Sequence, residues 1–274
     1  MSEIARSRSQ DTGERPWEYT IVSTRAEREI EASDHSALYD NQHSMRSRLS
    51  HVFQSPNTVY YQRLFDTIVA RDITGKRVLE IGCGGGGYAK KLHGFGAAYV
   101  RAVDISTKRV ADAKQFEIPG ELEYAVEDVS VPNEEVYDVV VGRAVLHHLD
   151  YQDALPRMYT QNLRPGGMMI FWEPLGSSWM IKAYHAFAEG LHSEDERPFE
   201  RRDLRWLRTH FADFTLMPVN YVSLPLGVVS SFTFRQPDNA MLRAADRFDR
   251  ALASRAPFLA PNFRNAIFLI RKPA

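Results

Sequence analysis

The chain has 274 residues, 44% hydrophobic and 25% charged, a globular composition with enough length to bury a sizeable core, so disorder is not its default state. Its 34 basic and 35 acidic residues nearly cancel to a net charge of −1, and no overall attraction to a nucleic-acid backbone or an anionic lipid surface is visible. The single cysteine, Cys83, excludes an intrachain disulfide and a cysteine-rich metal cluster. No apolar run approaches the roughly 18 residues of a spanning helix, so a cytoplasmic chain without a cleaved export signal is expected.

In chain order, residues 1–16 offer almost no apolar side chain and are read as a flexible tail. From 25 to about 53, Leu38, Met45, Leu49 and Val52 recur near the helical period. A second helix starts at Ser55-Pro56, carries Tyr61, Phe65, Ile68 and Val69 on one face, and ends before the Thr74-Gly75-Lys76 turn. Strand-like runs then alternate with helical patterns, the signature of βαβ units building a parallel sheet. The strands are expected at 77–81, 99–103, 122–126, 136–142 and 166–172, with helices after Gly86, after the N-cap candidate Ser106, and over 154–163. Arg164-Pro165-Gly166-Gly167 reads as the turn into the fifth strand. Beyond Glu173 an insertion of about 25 residues precedes a helix at 201–210 and strands at 214–224 and 266–271. A second insertion, 225–262, separates those last two strands; it holds a plausible helix at 238–254 and an aromatic stretch at 257–263 fit to cap a pocket or to make a subunit contact, as in a homodimer.

Residues 78–87, Val-Leu-Glu-Ile-Gly-Cys-Gly-Gly-Gly-Gly, end a strand and open a helix, so the glycines sit where backbone turns sharply and a ligand can approach closely. Their spacing fits both a dinucleotide fingerprint and an acidic-x-Gly-x-Gly-x-Gly pattern, Glu80, Gly82, Gly84 and Gly86. A tight turn alone needs fewer glycines. Asp104 ends the second strand 22 residues beyond Gly82, where a carboxylate can accept from a ribose diol. Asp128 follows the third strand at the same edge; it can accept from an exocyclic adenine amine or be an ordinary loop aspartate.

With these residues in place the chain resembles the class I S-adenosylmethionine-dependent methyltransferases over about residues 77–173. Five ordered segments carry the resemblance: VLEIGCGGGGYAKKL at 78–92, AVDIS at 102–106, EDV at 127–129, YDVVVGRAVLHHL at 137–149 and LRPGGMMIFWEP at 163–174. The resemblance implies a Rossmann-like, seven-stranded, mostly parallel sheet with helices on both faces and an antiparallel last strand set between the fifth and sixth. It also implies that Glu80 and the loop of Gly82, Cys83, Gly84 and Gly86 hold the methionine portion of S-adenosylmethionine. Asp104 and the neighbouring Ile105 would take the ribose side, Asp128 and Val129 the adenine, and Arg143-Ala144 the region beneath the sulfonium. One domain over 17–274 is expected: a helical cap at 17–75, a cofactor-binding core at 76–174, and lid or substrate insertions at 175–200 and 225–262.

Methyl transfer is an in-line displacement that alignment and exclusion of water largely accomplish, and a base is needed only where the acceptor carries a proton. His147 and His148, after the fourth strand, are base candidates, although such a segment also serves packing and loop shape. Glu173 could orient an acceptor or make a buried structural hydrogen bond. In the first insertion, Met180, Tyr184, Phe187 and Leu191 share one face of an expected lid helix, opposite Lys182, His185, Glu189 and His192. If that polar face turns inward, His185 and His192 become acceptor-binding or base candidates; as metal ligands with Glu189 they lack a fourth partner, and no metal is expected. With Tyr39, His43, Arg46 and Arg48 of the first helix, the insertions would cover the cleft, and their aromatics favour an apolar or ring-bearing small-molecule acceptor. Nucleic acid and a membrane span are not expected. Alternatives are a fold relative doing other chemistry on the same cofactor, such as a cyclase, a cofactor-sensing module, a macromolecular methyltransferase, and an NAD-dependent oxidoreductase. The last leaves the Arg-Pro-Gly-Gly turn, the His-His-Leu segment and the terminal strand pair unexplained.

Overall fold

A computed structural model describes residues 47–131, 133–178 and 197–274. The chain enters through a short helix, α1 (Ser50–Gln54), and a long one, α2 (Pro56–Ile73). Pro56 sits where its missing N–H costs nothing, and Ser55 Oγ accepts from the Thr58 N–H at 3.3 Å, so the expected start signal is the observed cap. Alternation then follows in order: β1 (Arg77–Ile81), α3 (Gly87–Gly94), β2 (Tyr99–Asp104), α4 (Thr107–Ala113), β3 (Leu122–Val126), β4 (Tyr137–Arg143), α5 (Tyr151–Arg157) and β5 (Leu163–Pro174). The chain closes with α6 (Arg201–His210), β6 (Asp213–Val219), α7 (Ser223–Thr233), α8 (Ala240–Arg255) and β7 (Asn265–Arg271).

The seven strands form one sheet in the order β3-β2-β1-β4-β5-β7-β6, parallel except for β7, which runs antiparallel to both neighbours. The fold expected from the resemblance is therefore present, down to the place of the last strand. Because successive strand residues point to opposite faces, Val78, Val139, Val141, Met168 and Ile170 join the core beneath α2 and α3, while Leu79, Val140, Met169 and Phe171 join the one beneath α5 and α6. Burial on both faces explains why the central strands read as unbroken apolar runs.

Beyond shifts of one or two residues, four parts of the structure differ from the sequence reading. Strand β5 begins at Leu163 rather than 166, because the Arg164 to Gly167 turn is absorbed as a register shift against β4. The helix expected over 154–163 starts at Tyr151 and loosens into a π turn, Met158–Asn162, just after Pro156. Strand β6 stops at Val219: Asn220 takes a left-handed φ of 62°, and the rest of the expected strand opens α7 instead. Residues 225–262, expected to cover the cleft, fold largely into α7 and α8, which pack on α1, α2 and β6 at the flank of the sheet. Most of the first expected helix, with Tyr39, His43 and Arg46, and the lid helix with His185 and His192 lie outside the described residues.

Candidate active site

The carboxyl ends of the parallel strands share one edge of the sheet, and the residues singled out by motif gather there. Between β1 and α3 the loop turns on three left-handed glycines, Gly82, Gly84 and Gly86, with φ of 68°, 52° and 78°. A Cβ on Gly82 would stand 2.7 Å from Val145 Cγ2, and one on Gly86 2.7 Å from the Tyr124 ring, so both are required by packing as well as by conformation. Around Gly84 and Gly85 the space is open, and there the backbone can be approached. Cys83 brings only its backbone to the loop: its side chain lies in the core, where burial pushes the thiol well above its ordinary range.

Asp104 closes the loop from the neighbouring strand. Its Oδ2 accepts from the Gly84 N–H at 2.8 Å and its Oδ1 from the Ser106 N–H at 3.0 Å; each oxygen keeps a lone pair for a further donor. Ile105, half-buried, follows it. Glu80, on β1 below the loop, is 3% exposed, and its Oε2 has no hydrogen-bond partner among the described residues. Burial raises its pKa from 4.5 to about 8, against the pull of the Arg143 guanidinium. Asp128 is bound by one oxygen only: Oδ1 accepts from the Ser130 N–H at 2.8 Å and faces Ser130 Oγ at 2.5 Å, while the buried Oδ2 is without a partner. Val129 beside it packs against the second core, and its carbonyl accepts from Arg157 Nη2 at 2.9 Å. Two buried carboxyl oxygens without a partner at one sheet edge are costly, and donors from a bound molecule would remove that cost.

Arg143 and Ala144 emerge exposed at the end of β4, Ala144 with φ of 52°. The Arg143 guanidinium lies over the Tyr88 ring at 4.8 Å. Tyr88 donates to Asp66 Oδ1 at 3.1 Å, and Lys91 reaches Asp66 Oδ2 at 2.5 Å, stapling α3 to α2. Between these helices lies a cleft of about 180 Å³ lined by Gln62, Phe65, Asp66, Lys91, Arg143 and Trp172. Sequence reasoning named only Arg143 among these as a site residue, and Phe65 only as part of a helix face. The signal available was an aromatic inside two of the motifs: Tyr88 directly follows the glycines and Trp172 precedes Glu173.

Glu173 lies beneath the loop that follows β4, fully buried. Its Oε1 accepts from the Val145 and Leu146 N–H groups, both at 3.0 Å, and its Oε2 meets His147 Nδ1 at 2.8 Å. These bonds tie Glu173 to the loop that carries the His-His segment. His147 is itself buried and packs against the half-buried His148 ring, centroids 4.1 Å apart and planes tilted by 42°. Both roots of the first insertion meet here: Gly176 and Phe199 bond across its neck at 2.9 Å, and the Arg197 N–H donates to the His147 carbonyl at 3.1 Å.

Residues 47–219, more than half of the chain, match the model of a family described as a methyltransferase domain, and the chain belongs to that family. It is similar to the ubiquinone biosynthesis O-methyltransferase of Neisseria meningitidis serogroup A, 31% identical over 106 residues, which is 36% of this chain and 44% of that protein. The chain thus matches less than half the length of such curated relatives. Among solved structures, phosphoethanolamine N-methyltransferase 2 of Haemonchus contortus, in complex with S-adenosyl-L-methionine, gives a TM-score of 0.54 at 21% identity, covering 83% of this chain and 56% of that one. The [4+2]-cyclase SpnF gives 0.50 at 19%, covering 77% and 81%. At these identities the likeness is one of fold.

Proposed function

We propose that this chain is an S-adenosylmethionine-dependent methyltransferase acting on a small-molecule acceptor by in-line displacement. The observation that carries the reading is the set of acceptors around the glycine loop: Glu80 Oε2 and Asp128 Oδ2, buried and unpartnered, with Asp104 between them. The spacing suits a cofactor with an amine at one end, a ribose diol in the middle and an adenine amine at the other. Glu80 and the open backbone of Gly84 and Gly85 would hold the methionine end, Asp104 the diol, and Asp128 the adenine, flanked by Ile105 and Val129. Family membership and the O-methyltransferase relatives support the same reading.

S-adenosylmethionine supplies, when bound, a methyl group on a positively charged sulfur. The chain's task is to place the acceptor and to keep water out. The cleft between α2 and α3 presents Gln62, Asp66, Lys91 and Arg143 as polar groups beside the Trp172 ring, a lining that can bind the polar substituents of a ring-bearing acceptor. For a hydroxyl acceptor, His148 is the base we assign: it follows β4, and Glu173 fixes the neighbouring ring against which it packs.

The test is turnover with a panel of phenols, catechols and small amines, read as formation of S-adenosylhomocysteine. Product formation with any of them supports the proposal, and cofactor binding without product across the panel favours a fold relative with other chemistry. His148→Gln should lower the rate and remove the pH dependence of turnover near neutrality while leaving cofactor affinity unchanged; an unaltered pH profile returns His148 to a packing role.

A further inference from the structure

On α7 the usual arrangement of an amphipathic helix is reversed. Its buried residues are small or polar: Ser223, Gly227 and Ser230. A Cβ on Gly227 would stand 3.0 Å from Val52 Cα of α1, and Ser230 Oγ meets His51 Nδ1 at 2.9 Å and Asn239 Nδ2 at 2.8 Å. Two of its large apolar residues are turned outward, while Leu224, Leu226 and Val228 are half-buried. Val229 is 49% and Phe232 75% exposed, on the stripe that Pro225 begins. Phe234, Phe248 on α8 and Phe258 just beyond it are exposed as well, so all four exposed phenylalanines among the described residues fall within 232–258.

The charge of this stretch is equally one-sided. Residues 223–264 hold six arginines, three aspartates and neither lysine nor glutamate, in a chain whose net charge is −1. Two of the aspartates are buried. Asp249 accepts from the N–H groups of Tyr221, Val222 and Ser223 and so caps α7; Asp246 is held by Asn57 and Arg250. Arg235, Arg243, Arg247 and Arg255 remain exposed, against Asp238 alone, which is paired with Arg243. Because Asp249 lies at the start of α7 and Asn239 beside Ser230, the two helices run antiparallel side by side. Arg247 adjoins Phe248, and Arg255 lies two turns further on the same side.

We propose that the outer face of the α7–α8 hairpin docks onto an anionic phospholipid bilayer. The phenylalanines enter the boundary between headgroups and acyl chains, and the arginines meet phosphate. A second copy is the poorer occupant, since a two-fold contact through this face sets arginine against arginine. The hairpin leaves β6 at the same sheet edge as the glycine loop and Arg143, so docking brings the candidate site close to a membrane that dissolves apolar acceptors. The docking stands apart from the methyl-transfer reading, and its test needs no turnover.

The test is flotation of the 274-residue chain with vesicles of phosphatidylcholine alone and of phosphatidylcholine mixed with phosphatidylglycerol. The expected result is binding to the mixed vesicles only, weakened by salt. Arg247→Gln and Arg255→Gln should each reduce apparent affinity about fivefold, and the double variant Phe232→Ser, Phe248→Ser should lose binding while keeping its circular dichroism spectrum and melting temperature. A wild-type chain that ignores anionic vesicles, or variants that bind as well as wild type, would overturn the proposal. A photoreactive phenylalanine analogue at position 232 separates the occupants: a lipid adduct upholds docking, whereas an adduct to residues 1–46 or to a second copy overturns it.

Discussion

Replacing Glu80 with glutamine removes one charge from a site where burial has already made that charge difficult to hold. With a pKa of about 8 instead of 4.5, Glu80 keeps its proton at neutral pH in the ligand-free protein. A cofactor α-amino group has an ordinary pKa of about 7.7–8.0, so pairing it as ammonium with carboxylate requires Glu80 to release its proton. Below pH 8 affinity should therefore rise with pH, by up to about tenfold per unit; above pH 8 the amine must gain a proton and affinity should fall. Glu80→Gln should flatten the acid limb and weaken binding at pH 8 by about 1.5–3 kcal/mol, the range for a charge-assisted hydrogen bond. Stability moves in the linked direction. The folded chain holds a proton that the unfolded chain releases above 4.5, so this contribution is complete below pH 4.5 and is lost as pH rises through 8. At roughly 1.4 kcal/mol for each tenfold step it amounts to about 5 kcal/mol at most. Calorimetry from pH 6 to 9 and thermal denaturation of both proteins read the two effects. Wild-type affinity that is flat between about pH 6 and 8, or glutamine tolerated without loss, would refute the reasoning.

Asp104→Ala should weaken cofactor binding by at least about 1.5–3 kcal/mol in calorimetry, because it removes the ribose acceptor and frees the Gly84 and Ser106 N–H groups together. Gly86→Ala should lower stability by about 2–4 kcal/mol in urea denaturation, since a left-handed residue gains a Cβ that meets the Tyr124 ring and Ala113 at 2.7 and 2.8 Å. Glu173→Ala leaves two backbone N–H groups and His147 without their acceptor, and should cost about 3 kcal/mol or more. Glu173→Gln, which keeps an acceptor, should restore most of that stability; equal loss in both would assign the effect to charge rather than to the loop.

The central sheet was legible because its strands are buried on both faces and punctuated by glycine, as at 78–87 and 164–167. Asp104 and Asp128 were legible for a related reason: in a parallel sheet the residues that end a strand or closely follow it stand at the ligand edge. Residues 220–233 misled. Leu-Pro-Leu-Gly-Val-Val has no helical apolar face because its inward face is made of Ser223, Gly227 and Ser230, and the cap that starts the helix, Asp249, lies 26 residues away. The bond between Glu173 and His147 spans the same distance in sequence, and the cleft between α2 and α3 depends on the Asp66 staple. No local pattern carries such pairings, which tertiary packing alone creates.

Isothermal titration of the 274-residue chain with S-adenosylmethionine, S-adenosylhomocysteine, NAD⁺ and NADH, side by side, tests the cofactor assignment most directly. Micromolar binding of the first two and none of the nicotinamides is the expected result. Binding of a nicotinamide cofactor, or of none of the four, would contradict the roles given to Glu80, Asp104 and Asp128.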